Sequence, residues 1–322
     1  MSAPAATAGA VTPESIRAAA AALEGVAVRT PLHALGPIAG LPGVAAWAKS
    51  EFLQPIGAFK IRGAFTAVSR MDPAERARGV VTHSSGNHGQ AVAFVARHFG
   101  VRAIIVMPAD APKVKIAGVR SFGAEIAFVE HRSERLSRCE AISAEHGMTM
   151  IPPYENADVI AGQATCGLEI LEQCPGVRAI VVPVGGGGLI AGVAAAVRAF
   201  APNVRVIAVE PTGAPKLARA LEAGHPVKVD NPQSIADGLL PQAVGNLPFA
   251  VMRGVVTEAV QVTDDEIAEA VRLFHAQGIT IEPSGAASTA ALLAGRIRAD
   301  GDVVAIASGG NVDPDIHQRL VH

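Results

Sequence analysis

Short runs rich in β-branched residues recur along the chain, each followed by an alanine-rich stretch, and this beat constrains the fold more than any other feature. The first pairs read GVVTHSS then NHGQAVAFVARHFG, RAIIVMP then KVKIAGVRSFG, and AEIAFVE then RSERLSRCEAISAEHG. The pattern resumes with AIVVPV, VRVIAVE, GVVTEAVQV and DVVAIAS. Alternation of strand-like and helix-like segments predicts βαβ units and a mostly parallel sheet. The runs are continuously apolar, so helices should cover both sheet faces. In such sheets ligands bind outside the carboxyl ends of the strands, which directs attention to the loops that follow each run.

A chain of 322 residues can bury one large α/β core or two lobes. Polar or proline-bearing breaks fall at SRMDPAERARG and MTMIPPYENADVIAGQ. They predict a smaller lobe, residues 73–152, inserted into a larger one made of residues 1–72 and 153–322. With 27 basic against 29 acidic residues the formal charge is -2, which asks for neither nucleic acid nor an anionic membrane. Cys139, Cys166 and Cys174 form no Cys-x-x-Cys pair, so no disulfide framework or zinc knuckle is expected, and a cytoplasmic location fits. MSAPAATAGAVTPES lacks the features of a signal peptide and suggests a lead into a helix beginning near Thr12-Pro13. Ala179 to Val197 is uncharged and long enough to cross a bilayer, but Pro183 and four glycines interrupt it. Strand, tight loop and helix is the better reading.

Four places carry chemistry. EFLQPIGAFKIRGAF sets Lys60 beside Phe59 and Ile61 in a chain with only six lysines. A dehydrated lysine has a lowered pKa and becomes an amine nucleophile, although the stretch alone would also suit a helix-start lysine whose ammonium snorkels to water. In THSSGNHGQAVA, the residues Ser84, Ser85, Gly86, Asn87 and His88 join a strand to a helix start. Backbone N–H groups there suit a carboxylate, or serve only as a plain cap. Gly185, Gly186, Gly187, Gly188 and Leu189 lie between AIVVPV and a second helix, where amides and helix dipole favour a phosphate. The same residues, as Gly186-x-Gly188-x-x-Ala191 with Glu210 further on, also match a dinucleotide fingerprint and so admit a nicotinamide-dependent dehydrogenase. Finally, Ser308 and Gly309 in AIASGGNVD follow the last strand; a hydroxyl there can bond a heteroaromatic nitrogen, or the segment can be a turn.

The ordered set QPIGAFKIRGA, SSGNHGQAVA, VIAGQATCGLEI, PVGGGGLIAGVA, VEP, IADGL, IEPSGAA and SGGNVD resembles the fold type II pyridoxal-phosphate enzymes, most closely the threonine/serine dehydratases and serine racemases. The match runs from about Arg29 to Asp313. It implies a tryptophan synthase β-like α/β fold with two open, twisted, mostly parallel sheets covered by helices. It implies pyridoxal 5'-phosphate as cofactor, joined to Lys60 and packed beside Phe59. Asn87 would bond its phenolic oxygen, Gly185 to Leu189 its phosphate, and Ser308 with Gly309 its pyridine side, with Glu282 nearby. The loop Ser84 to His88 resembles the substrate-carboxylate site, Ser85 matches an acid/base opposite Lys60, and Gln163 and Asp237 fall in motifs lining the substrate side.

The implied reaction is dehydration and deamination of a β-hydroxy amino acid, such as threonine or serine, to a 2-oxo acid and ammonia. A racemase or a hydroxyaspartate dehydratase is the alternative within the family, and a homodimer is the family expectation. Three departures bear on this. Where the metal-dependent relatives use a glutamate, a carbonyl and an aspartate, this chain has Glu210, Ala214 and Lys216, so no metal is expected and an ammonium could take the cation's place. Pro152 and Tyr154 differ from many relatives beside the substrate, and Arg132 is a candidate for a second substrate carboxylate. The sequence ends at His322, without the regulatory domain of isoleucine-sensing relatives, so feedback control of that type is not expected.

Overall fold

The computed structural model describes residues 11–84, 86–111 and 113–322. The lead before Val11 and the acid/base candidate Ser85 lie outside the described residues. The described strands are β1 (Leu32–Ala34), β2 (Ala46–Ser50), β3 (Val80–His83), β4 (Ala103–Pro108), β5 (Glu125–Val129), β6 (Thr149–Met150), β7 (Val177–Pro183), β8 (Arg205–Pro211), β9 (Val256–Val262) and β10 (Asp302–Ala307). They build two open sheets. One has the order β1-β2-β10-β7-β8-β9, with β1 alone antiparallel to its neighbour. The other, β5-β4-β3-β6, is parallel throughout.

The apolar runs explain the layering. In β7 and β10, alternate residues face opposite sides. Ile180, Val182, Val304 and Ile306 join one core with the helices Ala157–Gln173 and Gly188–Phe200. Ala179, Val181, Val303 and Ala305 join a second core with the helices Asp264–Ala276 and Pro283–Leu293. A strand buried on both faces must be apolar along its covered length, as β7 is from Ala179 to Pro183 and β10 from Val303 to Ala307; Arg178 and Asp302 lie at the uncovered starts. Helix ends are set locally. Thr12 accepts from the Ser15 N–H and Pro13 starts the first helix, while Thr263 and Glu266 form a reciprocal cap before Asp264–Ala276. The polar break at SRMDPAERARG holds a short helix, Pro73–Ala77, capped by Asp72.

A third core sets Ile61, Ala64, Phe65 and Val68 of the helix Lys60–Ser69 against Val80, Ile105 and Val92 of the smaller sheet's layer. The opposite side of that helix meets the helix Ala157–Gln173 so closely that a Cβ on Gly63 would lie 2.7 Å from the Val159 carbonyl oxygen. The helix bearing Lys60 is therefore a wall shared by both sheets' layers. Ala179 to Val197 resolves into β7, the glycine loop and a helix, and no helix among the described residues is long and apolar enough to cross a membrane.

Candidate active site

Lys60 begins its helix directly after a segment zipped onto the end of β10. Ala58 pairs with Gly309, the Phe59 N–H donates to the Ser308 carbonyl at 3.1 Å, and the Gly310 N–H donates to the Gly57 carbonyl at 2.9 Å. Gly57 has φ +69° and closes the preceding turn. The register of this short ladder, set by backbone groups, holds Lys60 at the carboxyl end of β10. Lys60 Nζ donates to the Pro153 carbonyl at 2.9 Å and lies 5.1 Å from the Phe59 ring centroid. Among the described residues no carboxylate pairs with it, and loss of water alone lowers its pKa to about 8.

Asn87, Glu282 and Asn311 form a relay over Gly309. Asn87 Nδ2 donates to Glu282 Oε1 at 2.6 Å, and Asn87 Oδ1 accepts from Asn311 Nδ2 at 2.8 Å. Asn311 also donates to the Ile56 carbonyl at 2.8 Å. Any Cβ on Gly309 would strike Glu282 and lie 3.1 Å from Asn87 Nδ2, so only glycine leaves this relay room. Burial pushes the Glu282 carboxyl up to about 7, against the opposing pull of the Lys115 charge. Ser308, at the end of β10, is buried.

The glycine loop sits on the other side of Pro153. A Cβ on Gly186 would collide with the Tyr154 ring, one on Gly188 would lie 3.7 Å from the Pro153 carbonyl oxygen, and one on Gly185 would lie 2.8 Å from the Gly238 carbonyl oxygen. Gly187 has φ +94° and opens the helix Gly188–Phe200, whose first N–H groups lack helical partners. Pro153 thus stands between a nucleophilic amine and a helix N-terminus walled by backbone. An aldehyde-bearing phosphate ester fits both: the amine can condense with the aldehyde, and the glycine amides suit the phosphate.

Other residues singled out in the sequence take different places. His88 is buried, its Nε2 3.0 Å from the Ile151 carbonyl, and burial holds its pKa down to about 3; its imidazole braces β6's exit as a neutral ring. Ser84 Oγ accepts from the Gly86 N–H at 3.3 Å within the loop. Gln163 is sealed against Gly63, its amide atoms without partners among the described residues. Asp237 pairs with Lys115, which reaches across from the helix Lys113–Ser121 and ends 3.9 Å from where a Cβ of Gly86 would be. Lys115 went unremarked in the sequence because nothing local distinguishes it from a helix-surface lysine. Arg132 is exposed beside Asp110 at 3.4 Å. It is Arg135 whose charge is felt by His83 and Tyr154, and burial lowers its pKa.

Glu210 is the clearest correction to the dinucleotide reading. Its oxygens accept from Lys216 Nζ at 3.1 Å, the Leu217 N–H at 2.8 Å and the Ala218 N–H at 3.0 Å, all buried or nearly so, leaving nothing for a ribose. Lys216 Nζ also donates to the Ala214 carbonyl at 3.2 Å and the Leu239 carbonyl at 3.0 Å. These residues do not fit a divalent cation, because an ammonium already engages the oxygens that would ligate it.

The arginine of the same stretch, Arg62, was given no role from sequence. It is fully buried and forked between two carboxylates: Nε and one terminal nitrogen bond Glu51 at 2.7 and 2.8 Å, and both terminal nitrogens bond Glu169 at 2.7 and 2.9 Å. Lys49 completes the cluster, donating to Glu169 at 2.6 Å. This network clamps the Lys60 helix to the helix Ala157–Gln173.

Comparison with known proteins agrees with the chemistry. A family model described as pyridoxal-phosphate dependent enzyme matches residues 23–309. The chain is 40% identical to an L-threo-3-hydroxyaspartate ammonia-lyase from a Pseudomonas species, over 94% of this chain and 96% of that protein. It is 38% identical to an L-threonine ammonia-lyase of Thermotoga maritima, over 97% of this chain and 78% of that protein. The solved structure of maize serine racemase superposes with a TM-score of 0.92 at 37% identity, covering 96% of each chain. A lone amine at a strand end, a glycine-walled helix start beside it, and a family match spanning both together establish that the chain belongs to the pyridoxal-phosphate dependent enzymes.

Proposed function

We propose that the protein is an ammonia-lyase that dehydrates and deaminates a β-hydroxy amino acid, of the threonine, serine or threo-3-hydroxyaspartate type. The observation that carries this reading is Lys60: a half-buried amine without a carboxylate partner among the described residues, its pKa at about 8, suited to exchanging a proton near neutrality. When bound, pyridoxal phosphate supplies an aldehyde for the amine to join and a ring that spreads the charge left when a substrate loses its α-proton.

The chain's own groups do the rest. Lys60 Nζ takes the α-proton, while the N-terminus of the helix Asn87–Phe99 offers N–H groups to the substrate carboxylate. Asn87, held by Glu282 and Asn311, would hold the oxygen side of the cofactor. Ser308 would meet the pyridine side with a neutral hydroxyl rather than a carboxylate, so the ring would be a moderate electron sink. Loss of a β-hydroxyl then competes with return of the proton. Once the α-proton has gone to Lys60 Nζ, the electron pair left behind expels the β-hydroxyl; the C–O bond breaks, the hydroxide takes up one proton and departs as water, and the enamine released tautomerises and takes up one water to give a 2-oxo acid and ammonium. Residues 73–152 act as a smaller lobe over the remainder, spanned by the Lys115–Asp237 pair, and the working unit is a homodimer.

Arg135 supports an acidic substrate among these, since it is a cation near Tyr154 that a second carboxylate could meet. The second reading is amino-acid racemisation, favoured by the close superposition on maize serine racemase. The deciding experiment supplies L-threonine, L-serine and L-threo-3-hydroxyaspartate to the holoenzyme, following 2-oxo acid by coupled assay and enantiomers by chiral chromatography. Oxo acid from any of them upholds the lyase. D-amino acid without oxo acid replaces it with the racemase, and neither product removes both.

A further inference from the structure

Lys216 is fully buried, yet its ammonium is not a lone charge. Three oxygens converge on it from three separate segments: Glu210 Oε1 at the end of β8, the Ala214 carbonyl in the loop that follows, and the Leu239 carbonyl. An ammonium has three protons to donate, and all three are used. Glu210 is itself held by the N–H groups of Leu217 and Ala218, so the carboxylate cannot swing away. Convergence of a carboxylate and two carbonyls is the donor chemistry of a hard cation site, here closed by a charge covalently tied to the chain.

The Leu239 bond gives the arrangement its reach. Leu239 ends the short helical turn Asp237–Leu239. Within that turn Asp237 pairs with Lys115, the Gly238 N–H donates to Ser284 Oγ at 2.9 Å, and the Gly238 carbonyl abuts Gly185 of the glycine loop. A group that fixes Leu239 fixes the floor under Gly185 and the point from which Asp237 reaches Lys115.

We propose that Lys216 is a tethered substitute for a dissociable cation, a positioning residue that holds the turn Asp237–Leu239 against the glycine loop and makes this chain independent of divalent metal. Its effect on turnover rests on the lyase reading above; its effect on stability does not. Free ions compete poorly with a charge already in place at effectively unlimited local concentration. A Lys216→Asp substitution restores an all-oxygen donor set, in which the new carboxylate joins Glu210 and the carbonyls of Ala214 and Leu239, open to a cation with bonds of about 2.3–2.6 Å.

The test compares the holoenzyme with its Lys216→Asp and Lys216→Met variants by thermal unfolding and by oxo-acid release, first in chelator and then with millimolar Ca²⁺ or Mg²⁺. For the wild type, added cation should move the midpoint by less than about 1 °C and leave turnover unchanged. Both variants should lose about 5 °C or more in chelator, because Glu210 is left buried without its counter-charge. Only Lys216→Asp should regain stability when the cation is added, with cofactor absorbance recovering in parallel. A wild-type enzyme that gains midpoint or several-fold turnover with cation overturns the proposal, as does a Lys216→Met variant matching wild type in chelator. A folded Lys216→Asp enzyme blind to both ions overturns the view of these oxygens as a cation site. The wild-type titration needs no variant, so the proposal stays falsifiable even where substitutions prevent folding.

Discussion

Lys60 and Lys216 are both withdrawn from water, and they come to opposite ends. Around Lys60 the described residues offer a single carbonyl, that of Pro153, and no carboxylate, so burial alone pulls its pKa to about 8 and leaves a reactive amine. Around Lys216 burial also lowers the pKa, but the Glu210 charge opposes it and three acceptors hold the ammonium still. One lysine is desolvated without compensation and is suited to chemistry; the other is compensated and is suited to architecture. Arg62 extends the contrast, since it sits two residues from Lys60 on the same helix and is saturated by Glu51 and Glu169. The lesson is that burial does not distinguish a catalytic cation from a structural one. The count of anionic partners does.

The contrast can be broken most sharply at Lys60. Lys60→Ala should reduce turnover by about a thousandfold or more while leaving the unfolding midpoint of the cofactor-free protein nearly unchanged, because no ion pair is lost; oxo-acid assay with pyridoxal phosphate and calorimetry of the cofactor-free protein check the two halves. Arg62→Met should do the reverse to the fold, stranding Glu51 and Glu169 and costing about 3–5 kcal/mol in urea unfolding.

A smaller effect sharpens the same point from the acidic side. Burial pushes the Glu282 carboxyl up to about 7, from the 4.5 of an ordinary exposed glutamate. Between those values the folded protein holds more protons than the unfolded chain, so the stability this group contributes is fully present below pH 4.5 and declines as pH rises toward and through 7. Cofactor-free wild type should therefore lose about 1–3 kcal/mol across that window relative to Glu282→Gln, measured by denaturant titration at each pH. The smallest effect is kinetic. Uptake of pyridoxal phosphate by the cofactor-free protein needs the neutral Lys60 amine, so its rate should rise about tenfold per pH unit below 8 and level off above it. A flat profile from pH 6 to 9, followed by cofactor absorbance, would place the amine's pKa elsewhere.

What could be read from sequence was local. The alternation of apolar strands and alanine-rich helices foretold the two parallel sheets, because a strand covered on both faces must be apolar throughout. Thr12-Pro13 marked a helix start, and the four glycines after AIVVPV marked the tight loop between β7 and the helix Gly188–Phe200. What escaped was every partnership across long stretches of chain. Arg62 looked like a neighbour of Lys60 until Glu169, 107 residues away, was seen to saturate it. Glu210 has the spacing from the glycines of a ribose ligand, the weaker of its two readings; its oxygens are spent on Lys216, the ammonium that the sequence set in a cation's place, and on the turn beyond β8. Gln163 lies in a motif that suggested substrate, yet helix packing seals it against Gly63. Arg132 and Arg135 are one helical turn apart, and only packing set the latter near Tyr154.

The sequence alone determined the layers, the loops that end at the carboxyl edge, and the presence of a lysine where water is scarce, since these follow from periodicity and from the conformations that glycine, proline and apolar runs permit. Tertiary structure decided which of the buried charges would have company. A pKa and an ion pair depend on what lies within a few ångströms in space, and that distance is set only when segments remote in the chain are packed together.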